Sequence, residues 1–238
     1  MAWRIYQYIR HLFYTRHRKG HGIHSPYLFE FVNKVLFNAR ATEAPEAIMK
    51  EHRKLRAAVA FVRRSSVSMK YGFLLYRITA WFQPEMIIEL GTGMGISTLY
   101  LSGGSPETPL HSIERHRERA HQASLLTERC CPGPVSIHHG EMEDELELIK
   151  PLIPERFVAF VDGNHHYEPT LEYLRILMDR AGDESLIIMD DIYWSRGMQR
   201  AWKEVVTWPE VKVSIDLFHF GILLLRKDLL KTIIKIKF

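Results

Sequence analysis

Two clusters in this 238-residue chain have residue types and spacings that do chemistry. The first is Ile87-Ile88-Glu89-Leu90-Gly91-Thr92-Gly93-Met94-Gly95-Ile96-Ser97, where an apolar run meets an acid and three alternating glycines before a helical pattern starts. Glycine lets the backbone turn sharply and approach a ligand with no side chain between, and the helix that follows offers free N–H groups at its start. Such a loop holds a nucleoside cofactor. A dinucleotide fingerprint would place a third glycine at position 96, where Ile96 stands, and Glu89 would repel a pyrophosphate. S-adenosylmethionine has no phosphate and a cationic amino-acid end, so the carboxylate suits it. Glu89, Gly91, Thr92, Gly93, Gly95 and Ser97 are the expected contacts, with Glu114, after the next apolar run, placed to accept both ribose hydroxyls. Glu141 and Met142 either border the adenine or belong to the surface.

The second cluster is Phe160-Val161-Asp162-Gly163-Asn164-His165-His166-Tyr167-Glu168, followed after one helical stretch by Ile187-Ile188-Met189-Asp190-Asp191-Ile192-Tyr193-Trp194. If the two apolar strands are neighbours, three carboxylates meet at one sheet edge. Carboxylates that close repel, and a hard divalent cation held by oxygens resolves the repulsion. Mg2+ is the expected ion, with Asp162, Asp190 and Asp191 as ligands and Asp162 also facing the cofactor. His165 is the expected base, with His166 as the alternative, because an imidazole exchanges protons near neutral pH. Tyr193 and Trp194 read either as an aromatic wall for a substrate or as ordinary packing.

Glu89-x-Gly91-x-Gly93-x-Gly95 with Glu114 resembles the first motif of class I S-adenosylmethionine-dependent methyltransferases. Asp162-Gly163-x-His165-x-Tyr167 with Asp190-Asp191 resembles the metal-dependent O-methyltransferases, the branch that includes catechol O-methyltransferase. The resemblance implies methyl transfer to a hydroxyl oxygen of a small molecule, with Asp162 as first metal ligand and Asp190 and Asp191 as the acidic pair completing the site. Two departures stand out. The catechol enzyme has a lysine base where this chain has His165, and an Asp-Asn pair where this chain has Asp-Asp.

These residues need a scaffold that brings strand ends together. Strands at 86–90, 109–113, 135–139, 156–162 and 185–190 alternate with helical stretches at 96–103, 115–130, 142–149, 167–181 and 196–208. That alternation predicts an α/β, doubly wound, mostly parallel sheet with helices on both faces. Segments 211–218 and 221–226 are joined by too few residues for a crossover and must form a hairpin, giving seven strands with a final antiparallel one, a Rossmann-like methyltransferase fold. N-terminal helices precede it. One covers much of 1–20, with Trp3, Tyr6, Ile9 and Phe13 on one side and Arg4, Arg10 and Arg16 partly on others; one starts at Ser25-Pro26, and others span 43–64 and 71–82. The expected organisation is a basic helical segment over 1–71 covering the active site, a methyltransferase domain over 72–228 and a basic tail over 229–238.

With 46% hydrophobic and 25% charged residues the chain is globular, and no apolar run is long enough to span a bilayer. Its two cysteines, Cys130 and Cys131, are adjacent, which suits a reducing, cytoplasmic setting rather than a disulfide framework. Residues 1–85 hold 15 Lys/Arg against 5 Asp/Glu, whereas 86–238 hold 17 against 23. A basic leading segment can steer an anionic substrate, touch nucleic acid, rest on an acidic lipid surface or simply be solvated. A nucleic-acid target is disfavoured, because the chain has no Asn/Asp-Pro-Pro-aromatic motif. A metal-free methyltransferase and a silent cofactor-binding module remain as rival readings, and homodimerisation stays open.

Overall fold

A computed structural model describes residues 2–15, 23–37 and 45–238. In chain order the elements are α1 (Ala2–Tyr14), α2 (Pro26–Phe31, prolonged by a π-type turn Val32–Phe37), α3 (Glu46–Ala58), α4 (Ala60–Ser65) and α5 (Met69–Phe82). There follow β1 (Met86–Leu90), α6 (Ile96–Gly104), β2 (Leu110–Glu114), α7 (Arg117–Cys130), β3 (Val135–His139), α8 (Met142–Ile149), β4 (Phe157–Val161), α9 (Tyr167–Met178), β5 (Leu186–Met189) and α10 (Arg196–Val205). Strands β6 (Val213–Asp216), β7 (Gly221–Leu224) and β8 (Thr232–Lys235) complete the chain. Two compact units contain them: Asn38–Ile149, and Met1–Phe37 with Lys150–Phe238.

In the first unit β1, β2 and β3 pair in parallel, with Glu89 opposite Ser112 and Glu114 opposite His139. Every residue of β1 is buried, as a strand covered on both faces requires. The charged helix expected over 43–64 breaks in two at Val59, whose extended backbone (φ −114°, ψ 113°) separates α3 from α4; residues 43–44 lie outside the described residues. Helices α5 and α6 pack closely where Gly104 admits the α5 backbone, since a Cβ there would lie 2.2 Å from both Thr79 Oγ1 and the Tyr76 carbonyl oxygen.

In the second unit β4 pairs with β5 in parallel, β7 lies antiparallel between β5 and β6, and β8 adds in parallel to β6. The hairpin formed by β6 and β7 is the one the sequence predicts. The eighth strand exceeds the seven expected, and it occupies the tail. A buried polar knot explains its place. Asp216, at the end of β6, accepts from Tyr193 Oη (2.7 Å) and the Phe218 amide (3.0 Å) and lies 3.3 Å from His11 Nδ1, while His11 Nε2 lies 3.2 Å from the Ile236 carbonyl oxygen. One carboxylate thus ties α1, β6 and the chain end together. The Arg16 end of the first predicted helix lies outside the described residues.

Replacing Gly104 by Ala drives a methyl group into the Tyr76 backbone carbonyl as well as the Thr79 hydroxyl. We expect a loss of roughly 1–3 kcal/mol, measured by chemical denaturation; an unchanged stability would mean that α5 and α6 can move apart freely.

Candidate functional site

The glycine loop owes its shape to three left-handed residues, Gly91 (φ 98°), Gly93 (φ 56°) and Gly95 (φ 82°), a conformation that side chains resist. The amides of Gly91 and Thr92 both donate to the Ile113 carbonyl oxygen, at 2.9 and 3.2 Å, which binds the loop to β2. Glu114 then fixes its outer turn: Oε2 accepts from the Gly93 amide (2.8 Å) and Oε1 from the His116 amide (2.9 Å). An ionised carboxylate has about four acceptor positions, so each oxygen retains room for a ligand hydroxyl.

Glu89, expected as a cofactor contact, lies beneath the loop. It is fully buried, and its Oε2 accepts from the hydroxyls of Thr98 and Ser112, both at 2.6 Å. Ser112 in turn lies 2.5 Å from Thr92 Oγ1. Burial pushes the Glu89 carboxyl up to about 7, against the pull of the Ser112, Ser97 and Thr98 hydroxyls. Thr92 and Ser97 are therefore turned toward this internal network beneath the loop. Its second oxygen, Oε1, has no hydrogen-bond partner. Glu141 is exposed after β3, and Met142 is buried at the start of α8.

The other unit gathers the second cluster. Asp162 follows β4 and Asp190 follows β5, and the Asp162 side chain lies within hydrogen-bonding reach of the Asp190 carboxyl. Burial and the adjacent charge of Asp191 push Asp190 up to about 7. Asp191 goes elsewhere: its Oδ1 accepts from an Arg4 Nη2 at 2.9 Å and lies 3.7 Å from His219 Nδ1. Burial opposes its charge, but His219 and Arg4 hold its carboxyl below the usual range. His165 Nε2 lies 3.5 Å from Asp162 Oδ1, and burial holds the imidazole below its ordinary value, so it is neutral at pH 7. His166 is exposed at the cap of α9. Asn164, His165, Asp191 and Phe218 all have positive φ, between 45° and 74°. Strain concentrated in one neighbourhood is characteristic of a functional site.

Beside this group lies a cavity of about 620 Å³ lined by Trp3, Arg4, Ile5, Tyr8, Trp194, Phe218 and His219. The Arg4 guanidinium sits 4.8 Å from the Trp194 ring centroid, so this aromatic does form a wall, whereas Tyr193 is buried against Phe218 and Asp216. Arg4 and His219 carry no sequence signal of their own. Arg4 belongs to a helix whose periodicity says nothing of its partner, and His219 lies in a hairpin turn. Among the described residues no three His, Cys, Asp or Glu side chains are grouped to hold a metal ion. The set Asp162, Asp190 and Asp191 is accordingly divided between a carboxyl pair and an Arg-paired carboxylate.

Residues 88–192 match a family described as a methyltransferase domain. No curated protein sequence matches significantly. Among solved structures, the chain is similar to the SAH-bound methyltransferase PaMTH1 of Podospora anserina, with 14% identity, TM-score 0.66, and coverage of 77% of this chain and 89% of that one. It is also similar to the O-methyltransferase TomG of Streptomyces achromogenes in complex with SAM, with 21% identity, TM-score 0.61, and coverage of 81% and 95%. An O-methyltransferase from Bacillus cereus in complex with SAH shares 18% identity, with TM-score 0.62 and coverage of 83% and 97%. At these identities the likeness establishes the fold.

The buried acid makes stability depend on pH. Because Glu89 rises from 4.5 to about 7 on folding, the folded chain binds its proton more tightly than the unfolded chain. Its contribution is present below pH 4.5 and is lost as pH rises through 7. Glu89→Gln keeps an acceptor for Thr98 and Ser112 but cannot ionise. The stability of wild type relative to this variant should fall by on the order of 3 kcal/mol between pH 4.5 and 8, read by denaturant titration at each pH. A difference that does not change with pH would contradict this assignment.

Proposed function

We propose that the chain, whose residues 88–192 match a methyltransferase domain, is an S-adenosylmethionine-dependent enzyme that methylates a hydroxyl oxygen of a small molecule. The supporting observation is the placement of a neutral, backbone-strained His165 3.5 Å from Asp162, in the unit that also carries the aromatic cavity. Likeness to two O-methyltransferase structures favours oxygen as the atom methylated.

Glu114 and the amides of the glycine loop bind the cofactor, Glu114 by accepting ribose hydroxyls with the lone pairs its backbone bonds leave free. The cavity takes an acceptor whose apolar body packs on Trp3, Trp194 and Phe218 and whose hydroxyl is presented to His165. His165 takes the hydroxyl proton, and the Asp162 carboxylate beside it stabilises the imidazolium that results. S-adenosylmethionine, held by Glu114 and the loop amides, would supply the methyl: the carbon–oxygen bond would form as the carbon–sulfur bond breaks, with the electron pair left on sulfur. Alignment of oxygen, carbon and sulfur supplies much of the rate.

Mg2+ takes only one or two carboxylates and fills its remaining positions with water or substrate oxygens. Asp162 and Asp190 fit that demand: two adjacent carboxyls at neighbouring strand ends are a pair whose repulsion a divalent cation would relieve. An ion held there would lower the pKa of an acceptor hydroxyl. Asp191 fits it less well while it is paired with Arg4. We place the reaction in the cytoplasm on the strength of the adjacent free thiols of Cys130 and Cys131.

The test is radiolabelled methyl transfer from S-adenosylmethionine to a panel of hydroxylated aromatic acceptors, with Mg2+ and with a chelator. We expect magnesium-stimulated turnover, a fall in kcat of roughly 10²–10⁴-fold for His165→Ala, and loss of turnover for Asp162→Asn. Magnesium-stimulated activity retained by Asp162→Asn would refute its role, and wild-type turnover in His165→Ala would remove the base.

A further inference from the structure

Helix α1 is amphipathic in the inverse sense. Its inward side carries polar groups: Gln7 and His11 are buried, and Arg4 reaches Asp191. Its outward side is apolar. Ile5, Ile9 and Phe13 follow one another a helical turn apart, and Tyr6 flanks them; all four are exposed, Phe13 at 83%. A helix on a globular surface normally presents these two faces the other way round.

The charge of the segment says what covers this stripe. No Asp or Glu occurs before Glu30, whereas Arg4, Arg10, Arg16, Arg18 and Lys19 all precede it. Arg10 is exposed on the flank of the stripe, 5.6 Å from the Tyr14 ring centroid. Tyr6 and Tyr14 add rings with one polar tip, the side chains suited to a boundary between water and hydrocarbon. We infer that α1 lies flat on an anionic lipid surface, with Ile9 and Phe13 inserted among the acyl chains and Arg10 against the headgroups. With 13 residues it is too short to cross a bilayer. Two copies of α1 packed stripe to stripe would bring two acid-free, cationic segments together. A nucleic acid would satisfy the arginines but leave Ile9 and Phe13 facing water.

Ile5 also lines the cavity, so the stripe is best tested at Ile9 and Phe13, which do not. The purified full chain is mixed with vesicles of phosphatidylcholine alone or of phosphatidylcholine with phosphatidylglycerol and sedimented, at low and high salt. Wild type should bind the phosphatidylglycerol vesicles, release from them at high salt, and bind the neutral ones far less. The double variant Ile9→Ser/Phe13→Ser should melt like wild type and bind roughly tenfold or more weakly. Equal binding by the double variant, or no preference of wild type for the anionic vesicles, overturns the inference. Sedimentation velocity without lipid supplies a second check: a wild-type dimer that the double variant converts to monomer would assign the stripe to a second copy of the chain and overturn it as well.

Discussion

A carboxylate that accepts two backbone amides fixes the geometry on which the first half of the site rests. Glu114 holds the amide of Gly93 on one oxygen and that of His116 on the other, so the turn after β1 and the turn after β2 share one anchor. The loop between them runs through three left-handed glycines, which gives it little preference of its own for this path. Without the anchor the path would be one of several. With it, the amides around the loop and the remaining lone pairs of Glu114 keep fixed positions, and a cofactor pays little to order them.

Beneath the loop, Glu89 does the opposite of what an acid at a strand end suggests. It is sealed from water and gathers the hydroxyls of Thr98 and Ser112, so it braces the loop from within. The second unit manages its acids by another route. Asp190 lies against the Asp162 side chain, and Asp191 is paired with Arg4 beside His219. Three carboxylates in sequence thus become one carboxyl pair and one ion pair. The Arg4 bond also joins the N-terminal helix to the turn after β5, and Trp3 and Tyr8 of the same helix line the cavity.

Much of this was legible in the residues. Strands β1, β4 and β5 are short, largely apolar runs followed directly by a glycine or an acid, and the glycines at 91, 93 and 95 announce a turn that only they adopt. Strand β8 was not legible, because Thr232–Lys235 is only four residues, with two adjacent isoleucines and no period-two pattern, and pairs only with β6. The sense of α1 was hidden for a related reason. Periodicity separates Ile5, Ile9 and Phe13 from Gln7 and His11, but which set faces inward depends on Asp216, a buried carboxylate more than two hundred residues away. Nor could the sequence tell that Asp191 is spent on Arg4, since a side-chain pairing across that separation leaves no local pattern.

The claim on which the rest depends is that the loop anchored by Glu114 is where S-adenosylmethionine binds. Calorimetric titration of the cofactor into wild type and into Glu114→Ala tests it directly. One molecule should bind per wild-type chain, with affinity reduced roughly tenfold or more in the variant. Equal affinity in the two proteins, or no binding to wild type, would contradict it.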